Sequence, residues 1–489
     1  MTDTTHRTST RGSSAAERAN APSVPRLFGT DGIRKIVGKD ITPTFVAEAA
    51  AAFAGHLGTG GLVLVAHDYR TTSPAMARIV AGVLSMAGIN VQEIGAMPTP
   101  CLQFSVREAG ARAGMMITAS HNPTDFNGIK ICGHDGLEIS RLEEIDVETR
   151  VYNRQFPSVP WDQAGEITWE SNCVARYLES ISHLIDGPAV ARRRAAVVLD
   201  CGNGTSAATS PRLLRSLGCK LTTLNSNPDG HFPGHPSEPK EENLKALMAT
   251  VVDTKSDLGV AHDGDSDRVA FIDETGRFVP GEEALALLVR EMLRSHPGGT
   301  IVTSVTSTQA VEEVVANERG KLIITRSGSL PVARGIVDNH AIFGGEENGG
   351  YYWPTHHVAR DGPASSAMML DILARTGKSL SQLLDELPRI KVVKHNVPLD
   401  PLMKEAVMQG VQKALEAEAE RVDPLDGVKA FYSDGRLLVR PSGTEPLCRI
   451  YGESKDPERA HALARRGVQM VESLQHTAIT ASDAATRHE

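Results

Sequence analysis

Apolar residues along this chain fall in short unbroken runs separated by longer amphipathic stretches, an alternation that predicts strands and helices in turn. Thr42-Pro43 marks a helix start, and the pattern from Phe45 to Leu57 closes at Gly58. Leu62 to Ala66 is then a wholly apolar run, the mark of a parallel strand covered on both faces. A second helix is expected from Ser73-Pro74 to near Gly88, followed by a strand from Ile89 to Ile94. Thr99-Pro100 opens a third helix, and Ala113 to Ile117 reads as a strand that runs into a polar loop at Thr118.

The unit recurs. Strand Ala195 to Leu199, the glycine-rich loop Cys201 to Thr205, a helix to Leu217 and strand Cys219 to Leu224 form one copy. Strand Ile301 to Val305, a helix from Thr308 to Asn317 and strand Lys321 to Thr325 form another. Three such units predict three related α/β domains. After Pro388 the texture changes to a strand from Val392 to Val397, a helix from Leu402 to Glu418, paired strands about the turn Ser433-Asp-Gly435 and a final helix from Pro457 to Leu474, a smaller α+β domain. The expected organisation is a disordered tail over 1–25, α/β domains over 26–160, 161–279 and 280–388, an α+β domain over 389–475, and a second disordered tail over 476–489.

At 489 residues the chain exceeds one hydrophobic core, consistent with several domains. A formal net charge of -9 argues against nucleic acid as the main partner, since a phosphate-backbone binder needs a basic face. No apolar stretch approaches the ~18 residues that span a bilayer, and no secretory signal is evident, so a cytoplasmic protein off the membrane is expected. The six cysteines lack CxxC pairs, which gives neither a zinc site nor a disulfide framework.

The densest chemistry lies in Ala261-His-Asp-Gly-Asp-Ser-Asp-Arg-Val269, where Asp263, Asp265 and Asp267 sit at every second position. An EF-hand loop begins this way, and Glu274 falls at its closing position, but Arg268 stands where the sharp-turn glycine belongs, and the flanking runs read as strands rather than helices. Three carboxylates on a tight loop after a strand suit a hard cation that keeps positions for water or phosphate oxygen, the usual way of holding magnesium. Ser120 lies in the polar loop after the Ala113 to Ile117 strand, with His121, Asn122 and Pro123 following and Lys130 near enough to return to one pocket. Serine needs a base or metal to act as a nucleophile, and no Gly-x-Ser-x-Gly elbow is present, which excludes an esterase triad.

Thr118-Ala-Ser-His-Asn-Pro123 and Asp263-Gly-Asp-Ser-Asp-Arg268 resemble the two signature loops of the α-D-phosphohexomutase family, to which phosphomannomutases, phosphoglucomutases and phosphoglucosamine mutases belong. Phe28-Gly-Thr-Asp-Gly-Ile-Arg34 is similar to the family's N-terminal segment, Gly345-Glu-Glu-Asn-Gly-Gly350 to its sugar-recognition loop, and Arg440-Pro-Ser-Gly-Thr-Glu-Pro446 to its phosphate-binding loop. The resemblance implies four domains around a central cleft. It implies a phosphoserine at Ser120 and magnesium held by Ser120, Asp263, Asp265 and Asp267. The catalytic positions are Ser120, His121, Lys130, Arg34 and Arg268, with Lys130 or His121 as acid/base and the positive groups stabilising the moving phosphoryl. Glu346 and Asn348 would read sugar hydroxyls, and Arg440, Ser442, Gly443, Thr444 and Arg449 would hold a spectator phosphate.

The implied reaction interconverts hexose 6-phosphate and hexose 1-phosphate through a hexose 1,6-bisphosphate, which also serves as activator. Small sugar phosphates are the expected partners, and a monomer or homodimer the expected assembly. One departure concerns the sugar loop: many family members end it Ser-Gly-His where this chain has Asn348-Gly349-Gly350, so that histidine is absent. His356 and His357 are the nearby substitutes, and a solvated loop pair is their plain reading. Phosphomannomutase or phosphoglucomutase activity is the leading expectation and phosphoglucosamine mutase the alternative; a metal-dependent sugar phosphatase and a silent sugar-phosphate sensor are the readings from other classes.

Overall fold

The computed structural model describes residues 26–29, 31–443 and 445–486, with the backbone alone over 478–486. The N-terminal stretch 1–25, expected to be disordered, lies outside the described residues, as does Thr444 of the expected phosphate loop.

Four sheets follow one another along the chain. The first is built from β1 (Ile33–Ile36), β2 (Leu62–His67), β3 (Asn90–Ala96), β4 (Ala113–Ile117), β5 (Phe126–Gly133) and β6 (Ile167–Trp169), in the order β1-β5-β4-β2-β3-β6. The second holds β7 (Ala196–Asp200), β8 (Lys220–Leu224), β9 (Leu258–His262), β10 (Val269–Ile272) and β11 (Phe278–Val279), ordered β11-β10-β9-β7-β8. The third holds β12 (Thr300–Ser304), β13 (Lys321–Thr325), β14 (Phe343–Gly345), β15 (Tyr351–Trp353) and β16 (His357–Arg360), ordered β13-β12-β14-β15-β16.

These three sheets share a plan. β4, β2 and β3 are parallel, as are β9, β7 and β8, and β14, β12 and β13. Each parallel set then reverses into an antiparallel partner: β4 into β5, β9 into β10, β14 into β15. The Ser120 loop, the Asp263 to Asp267 loop and the sugar loop are these three reversals, at equivalent places in three copies of one unit. All three leave the carboxyl end of a parallel strand, where open α/β sheets place their ligands.

Local sequence explains the elements. Thr42 caps the helix Pro43–Leu57 by accepting from Phe45 N at 3.1 Å, with proline in the first turn, where its missing N–H goes unneeded. β4 and β9 are buried at every position, as continuous apolar runs require. One apolar cluster runs from Leu64 to Leu387 and so joins the first three units into a continuous core.

The last sheet, β17 (Lys391–Pro398), β18 (Arg421–Asp423), β19 (Val428–Tyr432), β20 (Gly435–Pro441) and β21 (Leu447–Ser454), is antiparallel throughout in the order β17-β21-β20-β19-β18. The helices Lys404–Glu418 and Pro457–Thr486 contribute Val411, Leu415 and Val471 to its separate core. The fold is therefore three mixed α/β units and a C-terminal α+β unit.

Several expectations need correction. β6 pairs with β3 and belongs to the first sheet, so a boundary at 160/161 cuts that unit short; three exposed residues, Ile-Thr-Trp, carry too little pattern to be read as an edge strand. The helix expected up to Leu217 is a 3₁₀ turn, Thr205–Ala208, followed by a helix Ser210–Ser216, because Pro211 restarts the helix at its first turn. The final helix runs to Thr486, so residues 476–486 are helical rather than disordered; no Gly or Pro after Gly467 stops it.

Candidate active site

The Ser120 loop is held in an unfavourable conformation by a buried scaffold. Ser120 has φ +49°, in the left-handed region that costs a side-chain-bearing residue free energy, and strain of that kind concentrates at functional sites. Arg70, 1% exposed, gathers the loop: Nη1 donates to Pro123 O at 2.5 Å and Phe126 O at 2.9 Å, and Nη2 to Ser120 O at 2.9 Å and Asn122 O at 2.6 Å. Asp68 balances it, accepting from Arg70 N at 2.9 Å, Ser73 Oγ at 2.6 Å and Thr118 Oγ1 at 2.6 Å. Neither residue stands out in the sequence.

Ser120 Oγ donates to Asp263 Oδ2 at 2.8 Å and lies 3.1 Å from His121 Nδ1. This contact brings the first and second loops together. They approach closely enough that a Cβ on Gly264 would meet Ser120 O at 2.5 Å. Burial, reinforced by Arg268 and Arg34, pushes the His121 imidazole down to about 2. The ring is therefore neutral at ordinary pH.

Asp263, Asp265 and Asp267 are all buried, and each offers a carboxylate oxygen within 4.8 Å of the others. Burial, with Asp267 and Asp265 beside it, pushes the Asp263 carboxyl well above the carboxylate range. Asp265 Oδ1 and Asp267 Oδ1 are buried without a hydrogen-bond partner. Three converging hard oxygen donors, two with unused buried oxygens, fit a magnesium ion. The other oxygens of this pair are taken: Lys130 Nζ contacts Asp265 Oδ2 at 2.7 Å and Asp267 Oδ2 at 3.1 Å, and Thr99 Oγ1 donates to Asp265 Oδ2 at 2.6 Å. Lys130 stands on β5 opposite Met116 of β4, 4% exposed. Although burial opposes it, Asp265, Asp267 and Asp31 hold the ammonium above its ordinary range. Lys130 is thus a fixed cation beneath the acidic loop.

Arg34, His121, Arg268, Glu346, Asn348, Arg440, Ser442, Gly443 and Arg449 line one cleft of about 720 Å³, a volume in the usual range of small-ligand sites. Arg34 pairs with Asp31. Arg268 N donates to Asp263 Oδ1 at 3.1 Å. Glu346, 2% exposed, accepts from Gly328 N at 3.0 Å through Oε1, leaves Oε2 without a partner, and is raised by its burial against the lowering effect of Arg360. In the same cleft Arg440 and Arg449 are directly paired across β20 and β21. Two cations facing each other repel, and this is tolerated here through Asp426, 2.7 Å from Arg440, and Glu445, 2.9 Å from Arg449.

Three cleft features escaped sequence reasoning. Asp31 lies inside the Phe28 to Arg34 motif and accepts from Lys130 and Arg360 at 3.0 Å each. Arg360 sits at the end of β16. The turn Ser327-Gly328-Ser329 closes the cleft edge, with Gly328 at φ +125°. The motif around Asp31 was a usable signal; the others had none. His356 and His357 are not a solvated pair: they are 2% and 1% exposed, and His356 stacks on Phe104 with ring centroids 5.1 Å apart and meets Ser180 Oγ at 2.7 Å. Neither lines the cleft; His356 packs instead between Phe104 and Tyr177.

Phosphoglucomutase/phosphomannomutase family models match four consecutive segments: alpha/beta/alpha domain I over residues 25–158, domain II over 175–276, domain III over 280–390 and the C-terminal domain over 395–469. A phosphoglucomutase/phosphomannomutase from Thermococcus kodakarensis is 38% identical over 452 residues, covering 91% of this chain and 98% of the relative. A probable phosphoglucosamine mutase from Methanopyrus kandleri is 40% identical over 450 residues, with 91% and 98% covered. The crystal structure of a phosphoglucomutase/phosphomannomutase family protein from Burkholderia thailandensis superposes with a TM-score of 0.80 at 26% identity, covering 91% of this chain and 97% of that one.

Proposed function

Because the chain belongs to the phosphoglucomutase/phosphomannomutase family and is a phosphohexomutase, we propose that Ser120 carries the phosphoryl group exchanged between hexose 6-phosphate and hexose 1-phosphate. Phosphoglucomutase and phosphomannomutase activity is the leading reading. The observation that supports it is the 2.8 Å contact between Ser120 Oγ and Asp263, in a protein whose sugar and phosphate loops line one cleft beside His121.

In the first transfer a sugar hydroxyl oxygen bonds to phosphorus as the bond to Ser120 Oγ breaks, and in the second Ser120 Oγ bonds to phosphorus as the other sugar oxygen–phosphorus bond breaks. In each step the attacking oxygen loses a proton and the leaving oxygen gains one, so both transfers balance. His121, whose Nδ1 lies 3.1 Å from Ser120 Oγ, is the side chain placed to relay that proton. Lys130, held protonated, supplies charge instead, together with Arg34 and Arg268. Asp263, Asp265 and Asp267, with a phosphate oxygen on Ser120, would hold magnesium, which would supply neutralising charge at the phosphoryl group. Arg440, Ser442, Gly443, Thr444 and Arg449 hold the spectator phosphate, while Glu346 and Asn348 accept and donate hydrogen bonds to sugar hydroxyls. The hexose 1,6-bisphosphate turns over in the cleft and returns its other phosphate to Ser120. The same bisphosphate primes unphosphorylated enzyme.

Phosphoglucosamine mutase is the second reading, favoured by the Methanopyrus relative. Coupled assays with mannose, glucose and glucosamine 1-phosphates, with and without a 1,6-bisphosphate primer, separate the two. Intact-mass analysis should show one phosphate on the wild type and none on Ser120→Ala; a wild type that cannot be phosphorylated, or no turnover of any of the three sugars, defeats the proposal.

A further inference from the structure

The sugar loop ends in Gly350, and packing explains that glycine. A Cβ there would lie 2.3 Å from Arg360 Cδ and 2.9 Å from Arg360 Cγ. The stem of Arg360 therefore fills the volume that any side chain at 350 would need. Arg360 ends β16, which pairs with β15, the strand that leaves the sugar loop. Its side chain is 6% exposed and lines the same cleft as Glu346 and Asn348. One terminal nitrogen is anchored: Nη2 donates to Asp267 Oδ2 at 2.7 Å and to Asp31 Oδ2 at 3.0 Å. Among the described residues Nη1 and Nε make no hydrogen bond. A guanidinium is charged at all accessible pH and carries five donors in a rigid fork, so anchoring one nitrogen fixes the direction of the rest.

We propose that Arg360 is a substrate-binding residue, presenting its remaining N–H groups to an acceptor oxygen of the bound hexose phosphate from the space that a side chain at 350 would otherwise occupy. The inference rests on the phosphohexomutase reading. The matching ligand chemistry is a hydroxyl or phosphate oxygen. The chain thereby meets the absence of a side chain at the end of its sugar loop with a cation from the neighbouring strand.

A role confined to neutralising Asp31 and Asp267 makes a different prediction, since lysine would serve it equally well. Steady-state kinetics on Arg360→Lys, Arg360→Met, Gly350→Ala and the double variant Gly350→Ala/Arg360→Met, with whichever hexose 1-phosphate the wild type turns over, separate the two. Loss of a charge-assisted hydrogen bond should raise KM about tenfold or more in Arg360→Lys, with kcat within about threefold. Gly350→Ala should show a similar rise, and the double variant should be no worse than Arg360→Met, because both changes remove one interaction. Wild-type KM in Arg360→Lys, or losses that add in the double variant, would overturn the assignment. Should Arg360→Met fail to fold, Arg360→Lys and Gly350→Ala carry the test between them. A wild type without turnover defeats the function reading itself, which is a separate outcome.

Discussion

Two aspartates of one loop, Asp265 and Asp263, have opposite energetic roles. Despite its burial, Asp265 is held below its ordinary carboxylate value by Lys130 and Arg34, whereas Asp263 is pushed up by burial and by its two neighbours. In metal-free protein, Asp265→Asn should lower the melting temperature, since a buried Lys130 loses its best partner at a cost of about 2 kcal/mol or more. Asp263→Asn should leave it unchanged or raise it. The reason is one of sign: a carboxyl whose folded value lies above its unfolded value destabilises the fold as pH rises through that interval, and asparagine removes the effect. Calorimetry at pH 7 in chelator distinguishes the two, and equal losses would contradict these roles. Both variants should lose phosphoryl transfer in the coupled assay, because each removes a candidate magnesium ligand.

The loops work because other elements hold them. Arg70 donates to four carbonyls of the Ser120 loop and is paired with buried Asp68, so Arg70→Met should cost about 3 kcal/mol and reduce transfer more than a hundredfold. Unchanged kcat in a folded Arg70→Met protein would show that the loop holds its shape unaided. The glycine-rich loop after β7 is tied down in a similar way. His235 Nε2 lies 3.3 Å from Asp200 Oδ2. Burial alone would lower the imidazole, yet Asp200 holds it above its ordinary value. A group with a raised folded value contributes stability that is fully present below the unfolded value near 6.5 and is lost as pH rises through the folded one. His235→Asn should therefore destabilise by about 1 kcal/mol at pH 6 and by much less at pH 9.5, as read by denaturant melts. A constant difference across that range would exclude the ion pair as the cause.

At the scale of the whole molecule, the first three units share an apolar core, while the fourth is joined to the third by smaller, more polar contacts. Val305, Leu438 and Tyr451 form a small cluster there, and buried Lys429 donates to Val305 O at 2.9 Å and Ser307 O at 3.0 Å. Arg436 pairs with Glu312 across the same junction. Lys429→Met should loosen the docking of the phosphate loop, raising KM for the sugar phosphate about tenfold while Ser120 is still phosphorylated by the 1,6-bisphosphate. An unchanged KM would mean that this lysine does not hold the cleft closed. The sequence by itself determined the element types, the repeated unit and the five motif segments, because capping residues, apolar periods and turn chemistry act within a few residues. It could not show that the three chemical loops are one reversal repeated in three sheets, since strand order is set by which faces bury each other. Nor could it supply the network beneath the cleft. Arg360 meets Asp267 across 93 positions and Asp31 across 329, and no local pattern links residues so far apart. Only the packing of three units against one another brings those charges together, and only that packing decides that the space beside Gly350 belongs to an arginine.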